Sequence, residues 1–256
     1  MMRNLLGALV LTAALISGAA HAAEAPAADF TDKQKEQIEA IVKNLLTNKD
    51  PEIVLNAAKE FQKKQDAENS KKATEALGKN KDKLFNNAAD PFFGNEKGDV
   101  VLVEFFDYNC GYCKKAAEPI RKLIENDKKV KVVMKEYPIL AESSRVAARA
   151  AFAAIKQKKY TELHNALMEN KGALSEDSIM EMAVKVGIDK EKLKKDMESP
   201  ETAAYLQSTS ELGREIGAHG TPTFIVGEKI VPGAMEYEEM KKLVDDARAS
   251  ATKKVN

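Results

Sequence analysis

The sequence predicts an α/β domain whose sheet is interrupted by a helical insertion and which follows an all-α N-terminal extension. Three observations predict this class. Apolar runs typical of strands begin at Val100, Val130 and Thr223. Helical periodicity fills about 143–217, between the second and third runs, and an amphipathic helical pattern precedes the first. The chain is therefore divided into segments 1–22, 23–89 and 90–256.

Composition excludes two broad classes of protein. The 256 residues include 40 basic and 40 acidic side chains, so the formal net charge is zero. Without a positive field there is no general attraction for DNA, RNA or an anionic membrane, and we expect no nucleic-acid partner. The chain has only 2 cysteines, Cys110 and Cys113, which excludes a scaffold held by several disulfides.

Segment 1–22 has the three parts of a secretory signal. Arg3 gives a positive start, Leu5–Ile16 forms the apolar run, and Ala20-His21-Ala22 is typical of a cleavage site. The alternative, an uncleaved membrane anchor, needs about 20 apolar residues. We expect cleavage near Ala22 and a soluble exported protein. In a bacterium this places it in the periplasm, where disulfides form and persist.

Segment 23–89 is predicted to be a helical oligomerisation region followed by a polar stalk. Apolar residues recur at helical spacing from Ile38 to Phe61, and the pattern then fades into charged and amide side chains over 62–83. Helices with a dense apolar face need a packing partner. The polar stalk favours a second copy of the chain, so we expect a homodimer or another homo-oligomer formed through residues 29–61. The alternative is a helical hairpin folded back on its own domain.

Cys110-Gly111-Tyr112-Cys113 follows the first strand and begins a helix. Unpaired backbone N–H groups and the positive end of the helix favour a thiolate at the first cysteine. A thiolate is the attacking species in disulfide exchange. The sequence thus predicts Cys110 as an exposed nucleophile and Cys113 as a buried resolving thiol.

Two other uses of the cysteine pair are a zinc site and a structural disulfide. A zinc site needs two more ligands, and after signal cleavage the chain offers only His164 and His219, which are not at paired spacing. A structural disulfide closing so short a loop would stabilise the fold little. We therefore expect redox chemistry, with no metal and no dissociable cofactor.

Glu104 is a carboxylate in the middle of an apolar strand. If it faces the interior behind the cysteine pair, burial raises its pKa, and it can take and return the proton of Cys113. The alternative is that it points to solvent at a sheet edge.

The segments EFFDYNCGYCKKAAEPI and GTPTFIVG resemble the DsbA family of periplasmic thiol:disulfide oxidoreductases, which have a thioredoxin fold; the likeness covers about 90–244. The resemblance implies that Pro222 follows a cis bond and lies against the cysteine pair. It also implies that Thr221 pairs with an extended substrate segment, and that Glu104 is the buried acid of the family. Without the resemblance, Thr221-Pro222 fits a trans turn equally well.

Two positions differ from the oxidising members of that family. Gly111-Tyr112 stands where those members have Pro-His, and Thr221 stands where they have Val. Both features resemble the DsbC family of dimeric isomerases, so Gly111 and Tyr112 join Thr221 and Pro222 as predicted substrate-binding residues. Without the His, reduced Cys110 is expected to be less stable and the disulfide less oxidising.

The resemblance extends to DsbA-like proteins that oligomerise through N-terminal helices. It implies an isomerase that acts on unfolded or misoxidised exported proteins and is reset by a membrane redox partner. One alternative is a DsbA-type dithiol oxidase. Another, from a different class, is a holdase or surface binding protein that does not use redox chemistry.

Overall fold

The computed structural model describes residues 30–255, so the predicted signal sequence, 1–22, lies outside the described residues. The chain forms two compact units that divide between Gln62 and Lys63. Each unit is described by itself below.

The N-terminal unit is helical. Helix α1, Asp32–Asn44, begins at a capping box in which the Thr31 hydroxyl accepts from the backbone N–H of Gln34 and the Gln34 side chain accepts from that of Thr31. A π-helical turn, Leu45–Lys49, follows, and helix α2, Ile53–Lys79, begins in this unit. No side chain between residues 30 and 62 is buried. The apolar positions of these helices therefore face outward.

The second unit contains a five-stranded mixed sheet. Its strands are β1 (Phe92–Gly94), β2 (Val100–Phe106), β3 (Val130–Glu136), β4 (Thr223–Val226) and β5 (Lys229–Pro232). The spatial order is β1-β3-β2-β4-β5, in which β2 and β3 are parallel and the other neighbours are antiparallel. The sequence predicts β2, β3 and β4 from their apolar runs, whereas β1 is short and lies at the edge of the sheet.

Strand β2 lies in the middle of the sheet and is covered on both faces. Leu102 and Phe106 belong to the larger apolar core on one face, and Val103 and Phe105 belong to a smaller core on the other. A continuous apolar run is typical of a strand buried on both sides. Glu104 shares the face of Leu102 and Phe106, because alternate side chains of a strand point the same way.

The helices of the second unit form two layers around this sheet. After α2 they are α3 (Lys81–Phe85), α4 (Gly111–Asn126), α5 (Glu142–Ala153), α6 (Tyr160–Glu169), α7 (Glu176–Lys185), α8 (Lys190–Met197), α9 (Pro200–Glu215) and α10 (Tyr237–Val255). Helices α4 and α10 contribute to the larger core, and α9 contributes to the smaller one. Helices α5–α9 lie between β3 and β4, which confirms the predicted α/β class with its helical insertion. Within residues 30–255, no helix has the length and apolar character needed to span a membrane.

The segment before the sheet is fixed by buried contacts. Leu77 and Leu84 are buried in the smaller core. The Lys135 ammonium forms a buried ion pair with Asp90 and donates a hydrogen bond to the carbonyl of Lys83 at 2.6 Å. Residues 77–90 thus contribute to the stability of the sheet domain itself.

Candidate active site

Cys110 is the N-cap residue of helix α4. Its backbone N–H donates to the carbonyl of Asp107 at 3.0 Å, and its sulfur accepts from the backbone N–H of Cys113 at 3.3 Å. Buried strand β2 fixes this turn in space, and the helix start directs free N–H groups at the sulfur. Such a site stabilises a thiolate.

The two thiols have opposite acidities. Hydrogen bonding by the Cys113 thiol, assisted by the backbone N–H groups of Cys113 and Tyr112, lowers the pKa of Cys110 to about 6 despite partial burial. Burial raises the pKa of Cys113 far above its usual range, and the hydrogen bond to Cys110 and the charge of Glu104 act in the same direction. At neutral pH one thiol is therefore a thiolate and the other keeps its proton.

Cys110 is less exposed than the sequence predicts. Only 5% of its surface is accessible, against 0% for Cys113. The reason is the loop before β4, where the carbonyl of Thr221 lies 3.1 Å from the Cys110 sulfur and accepts a hydrogen bond from Cys110 when that thiol is protonated. The Thr221–Pro222 bond is cis, as the resemblance implies. This loop therefore covers one side of the sulfur.

Glu104 lies in the interior, behind the cysteine pair. It is 1% exposed on the central strand of the sheet, which excludes the alternative of a solvent-facing edge position. It lines a cavity of about 310 Å³ together with Cys113 and His164. Its Oε1 has no hydrogen-bond partner. Burial, with the charge of Cys110, raises the pKa of Glu104 to about 8.

The two residues between the cysteines are open to solvent. Gly111 has no heavy atom within 4 Å of the position that a Cβ would occupy. Tyr112 is 63% exposed, and the Lys115 ammonium lies 5.3 Å from the centre of its ring. The surface on the helix side of Cys110 is therefore open to solvent at these two residues.

Sequence reasoning missed a buried aspartate that organises the turn. Asp107 accepts from the backbone N–H of Asn109 at 2.8 Å, from the Ser144 hydroxyl at 2.7 Å and from the backbone N–H of Leu140 at 3.0 Å. It thereby joins the active-site loop to the segment after β3. Its position directly after an apolar strand was the available signal.

Sequence reasoning also missed a buried polar cluster beside the turn. The hydroxyls of Tyr108 and Tyr160 both donate to Oε1 of Glu136, at 3.0 and 3.1 Å. Nδ1 of His164 lies 3.0 Å from the Tyr108 hydroxyl, and burial lowers the pKa of His164 to about 3. His164 is thus a neutral structural residue of helix α6. The other histidine considered for zinc, His219, is exposed. Among residues 30–255, no cluster of three or more His, Cys, Asp or Glu side chains has a geometry that could hold a metal ion.

Comparison with known proteins matches residues 101–245 to the family of DSBA-like thioredoxin domains. The chain belongs to this family. The match includes β2, the cysteine pair, the helical insertion and the Thr221–Pro222 loop. It confirms the resemblance found in the sequence and assigns the chain to the DsbA-like thiol:disulfide oxidoreductases, with a thioredoxin-like fold.

Solved structures extend this likeness. The chain is 44% identical to a thioredoxin-like oxidoreductase from Silicibacter pomeroyi DSS-3, with a TM-score of 0.64 over 66% of this chain and 97% of that one. It is 32% identical to ScsC from Proteus mirabilis in a transitional conformation, with a TM-score of 0.65 over 86% of this chain and 100% of that one. The larger coverage by ScsC extends the likeness beyond the family domain into the preceding helices.

Among curated proteins the likeness is partial. The Na⁺/H⁺ antiporter NhaA 3 of Salinispora tropica is 26% identical over 160 residues, which are 62% of this chain and 24% of the antiporter. The chain thus spans about a quarter of the length of the first curated relatives it matches.

Proposed function

We propose that this protein is an exported, periplasmic disulfide isomerase that rearranges disulfides in unfolded or misoxidised proteins. The asymmetry of the cysteine pair carries this proposal. A sulfur with a pKa of about 6 at a helix start is ready to attack at neutral pH, and its neighbour keeps its proton until it is needed.

The exchange proceeds in two steps. The Cys110 thiolate attacks one sulfur of a substrate disulfide; that S–S bond breaks, a Cys110–substrate disulfide forms, and the second substrate sulfur leaves as a thiolate. In isomerisation this thiolate or another attacks elsewhere in the substrate, and a final attack on the mixed disulfide returns the Cys110 thiolate with no net change in oxidation.

The second cysteine releases a substrate that remains attached to Cys110 as a mixed disulfide. Cys113 attacks the Cys110 sulfur, gives its proton to Glu104 and releases the substrate as a thiolate, so the substrate is reduced by two electrons and the protein is left oxidised. With a pKa of about 8, Glu104 is mostly protonated at neutral pH, so its ionised fraction accepts this proton and afterwards returns it. A membrane redox partner would then reduce the Cys110–Cys113 disulfide.

Substrate binding is assigned to the residues around the sulfur. Thr221 and Pro222 would hold an extended substrate segment beside Cys110, and Gly111 and Tyr112 would form the opposite side. Pairing of active sites is assigned to the N-terminal helices. Their apolar side chains are outward-facing, which supports assembly of a homo-oligomer through residues 29–61.

The test is refolding of scrambled, fully oxidised ribonuclease by the signal-free protein, beside its Cys110→Ser and Cys113→Ser variants. The wild type is expected to restore ribonuclease activity, and Cys110→Ser to fall to the uncatalysed background because the nucleophile is lost. Cys113→Ser should accumulate a mixed disulfide visible on a non-reducing gel.

Reduced ribonuclease is the companion substrate. Oxidation of reduced ribonuclease without recovery of the scrambled form would establish a dithiol oxidase instead. Undiminished prevention of aggregation by Cys110→Ser, with no activity on either ribonuclease, would establish a holdase.

A further inference from the structure

A groove of about 690 Å³ runs along helix α4 from the active site. Its near end is lined by Asn109 and Gly111, the residues on either side of Cys110, and its far end by Arg121. The opposite wall is the end of helix α6 and the turn 170–172. Any polypeptide held at Cys110 could continue into this groove.

The groove carries an excess of positive charge. Its lining contains Lys114, Lys115, Arg121 and Lys171 but only two carboxylates, Glu118 and Glu169. Both carboxylates lie near Arg121, at 3.0 and 3.9 Å. The three lysines form no ion pair with any carboxylate of the described residues. Because the whole chain has zero net charge, this excess is local.

Lys114 is the most constrained of the three lysines. It is half-buried in the wall, where its ammonium donates to the carbonyl of Asn170. Burial lowers its pKa, which means that its positive charge lacks full compensation. Lys171 follows Asn170 in the sequence. It lies in a turn fixed by hydrogen bonds between the Asn170 side chain and the backbone of Gly172 at 2.9 and 3.3 Å. A bound carboxylate would provide the missing counter-charge.

We propose that this groove binds an acidic segment of the substrate polypeptide, next to the cysteine under attack. The proposal rests on the proposed disulfide exchange and adds a substrate preference to it. From Gly111 to Arg121 helix α4 rises about 15 Å, which an extended chain covers in about five residues. The Asp or Glu side chains recognised therefore lie within about five residues of the substrate cysteine.

Matched peptides test the proposal. Each peptide carries one cysteine as a mixed disulfide with thionitrobenzoate. The cysteine is flanked by Glu, Gln or Lys residues on its N-terminal side in one set of peptides and on its C-terminal side in the other. Release of thionitrobenzoate by the reduced full-length protein gives the second-order rate constant. At low salt we expect the Glu peptide to react at least about threefold faster than the Gln peptide, and the Lys peptide to react slowest. Added salt should reduce this ratio towards one.

The ratio of the Glu to the Gln rate, taken within each protein, is then compared across variants. Lys114→Gln/Lys171→Gln should bring the ratio close to one. The control Lys194→Gln/Lys195→Gln makes the same charge change on helix α8, away from the groove, and should keep the wild-type ratio. Thermal melts and the Gln rate show whether each variant is folded.

Each contrary result has its own meaning. Equal rates for all peptides, a preference for Lys, or a Glu preference that persists in Lys114→Gln/Lys171→Gln would overturn the acidic-segment proposal while leaving disulfide exchange intact. Failure of the wild type to react with any peptide would overturn the proposed function itself.

Discussion

The two units of this chain place the same kinds of apolar side chain in opposite environments. In the N-terminal unit Ile41 and Val54 are 65% and 62% exposed, whereas Leu102 and Leu123 in the sheet domain are fully buried. Helices α1 and α4 have comparable apolar faces, but only that of α4 is covered by a sheet. Periodicity thus predicts a helix and its apolar face but does not predict what covers that face.

This difference also separates the tasks of the two units. The sheet domain buries its apolar residues within one chain and holds the complete cysteine site. Helix α1 has 13 residues, which is marginal for an isolated helix in water, so its stability depends on packing. Under the proposed function, the first unit gains that packing by assembly and the second performs the chemistry. Substitutions can test this separation directly.

The largest effect is expected from charges on the apolar face of the N-terminal helices. Ile41→Asp/Val54→Asp should dissociate the oligomer, because an interface core does not accommodate unpaired carboxylates. Recovery of scrambled ribonuclease should fall by about tenfold or more, since linked sites gain from a high effective concentration. Light scattering measures the assembly, and reaction with a small aromatic disulfide measures the intact cysteine site.

Gln37→Asp/Asn56→Asp is the matched control, because it places the same side chains at exposed polar positions of the same helices. It should leave both assembly and isomerisation unchanged. An Ile41→Asp/Val54→Asp protein that keeps the wild-type mass in solution would exclude this face as the interface.

A pair of alanine substitutions compares the two environments in energy. Leu102→Ala removes a fully buried side chain and should lower the free energy of unfolding of the sheet domain by about 2–5 kcal/mol. Ile41→Ala removes an exposed one and should change that free energy by less than about 0.5 kcal/mol. Urea unfolding followed by tyrosine fluorescence measures both. A comparable loss from Ile41→Ala would mean that the N-terminal helices stabilise the sheet domain.

The sequence predicts those parts of the fold that local patterns determine. The strands Val100–Phe106 and Val130–Glu136 begin at the predicted residues because both are long apolar runs. Strand β1 was missed because Phe92–Gly94 is only three residues long and depends on pairing with β3. Such a strand is a product of tertiary structure and has no periodicity of its own.

The candidate site follows the same rule. The two cysteines are only three positions apart, and this spacing indicates their chemistry. The apolar neighbours of Glu104 indicate its burial. The Tyr108–Glu136–His164 cluster joins three elements, and no local pattern connects them. The positive groove is likewise built from α4 and the end of α6, which only the fold brings together.

Glu104→Gln tests the effect of burial on an ionisable side chain of the sheet domain, through the pH dependence of stability. With a pKa of about 8 against an ordinary value of 4.5, the buried carboxyl takes up a proton on folding between those pH values. The folded state binds more protons than the unfolded state there, so Glu104 reduces stability as pH rises, by about 1.4 kcal/mol per unit. An amide cannot ionise. The variant should therefore match the wild type near pH 4 and exceed its stability progressively towards pH 8.

Urea unfolding of the reduced proteins across this pH range measures the difference in stability between the variant and the wild type. Cys110 titrates in both proteins, so its contribution largely cancels in this difference. Stability curves that stay parallel from pH 4 to pH 8 would show that Glu104 ionises normally. The same variant should slow release of substrate by Cys113, because the proton acceptor is lost.

The smallest effect is expected from a polar group buried in the sheet domain. Like an apolar side chain exposed to water, such a group lies in an unfavourable environment. The Thr221 hydroxyl is buried and makes no hydrogen bond of ordinary geometry, although it lies close enough to the Cys110 sulfur to help lower the pKa of that thiol. Thr221→Val removes that unpartnered group and should raise the free energy of unfolding by about 1 kcal/mol. Thr223→Val is the matched control: its hydroxyl donates to the carbonyl of Gly220 at 2.7 Å, so its loss should lower stability by about 1 kcal/mol. If Thr221→Val gains stability and loses exchange rate with peptide substrates but not with a small aromatic disulfide, the hydroxyl serves substrate binding rather than folding, as the N-terminal face would serve assembly under the proposed function. A gain in stability with an unchanged exchange rate would show that the Thr221 hydroxyl has no part in substrate binding.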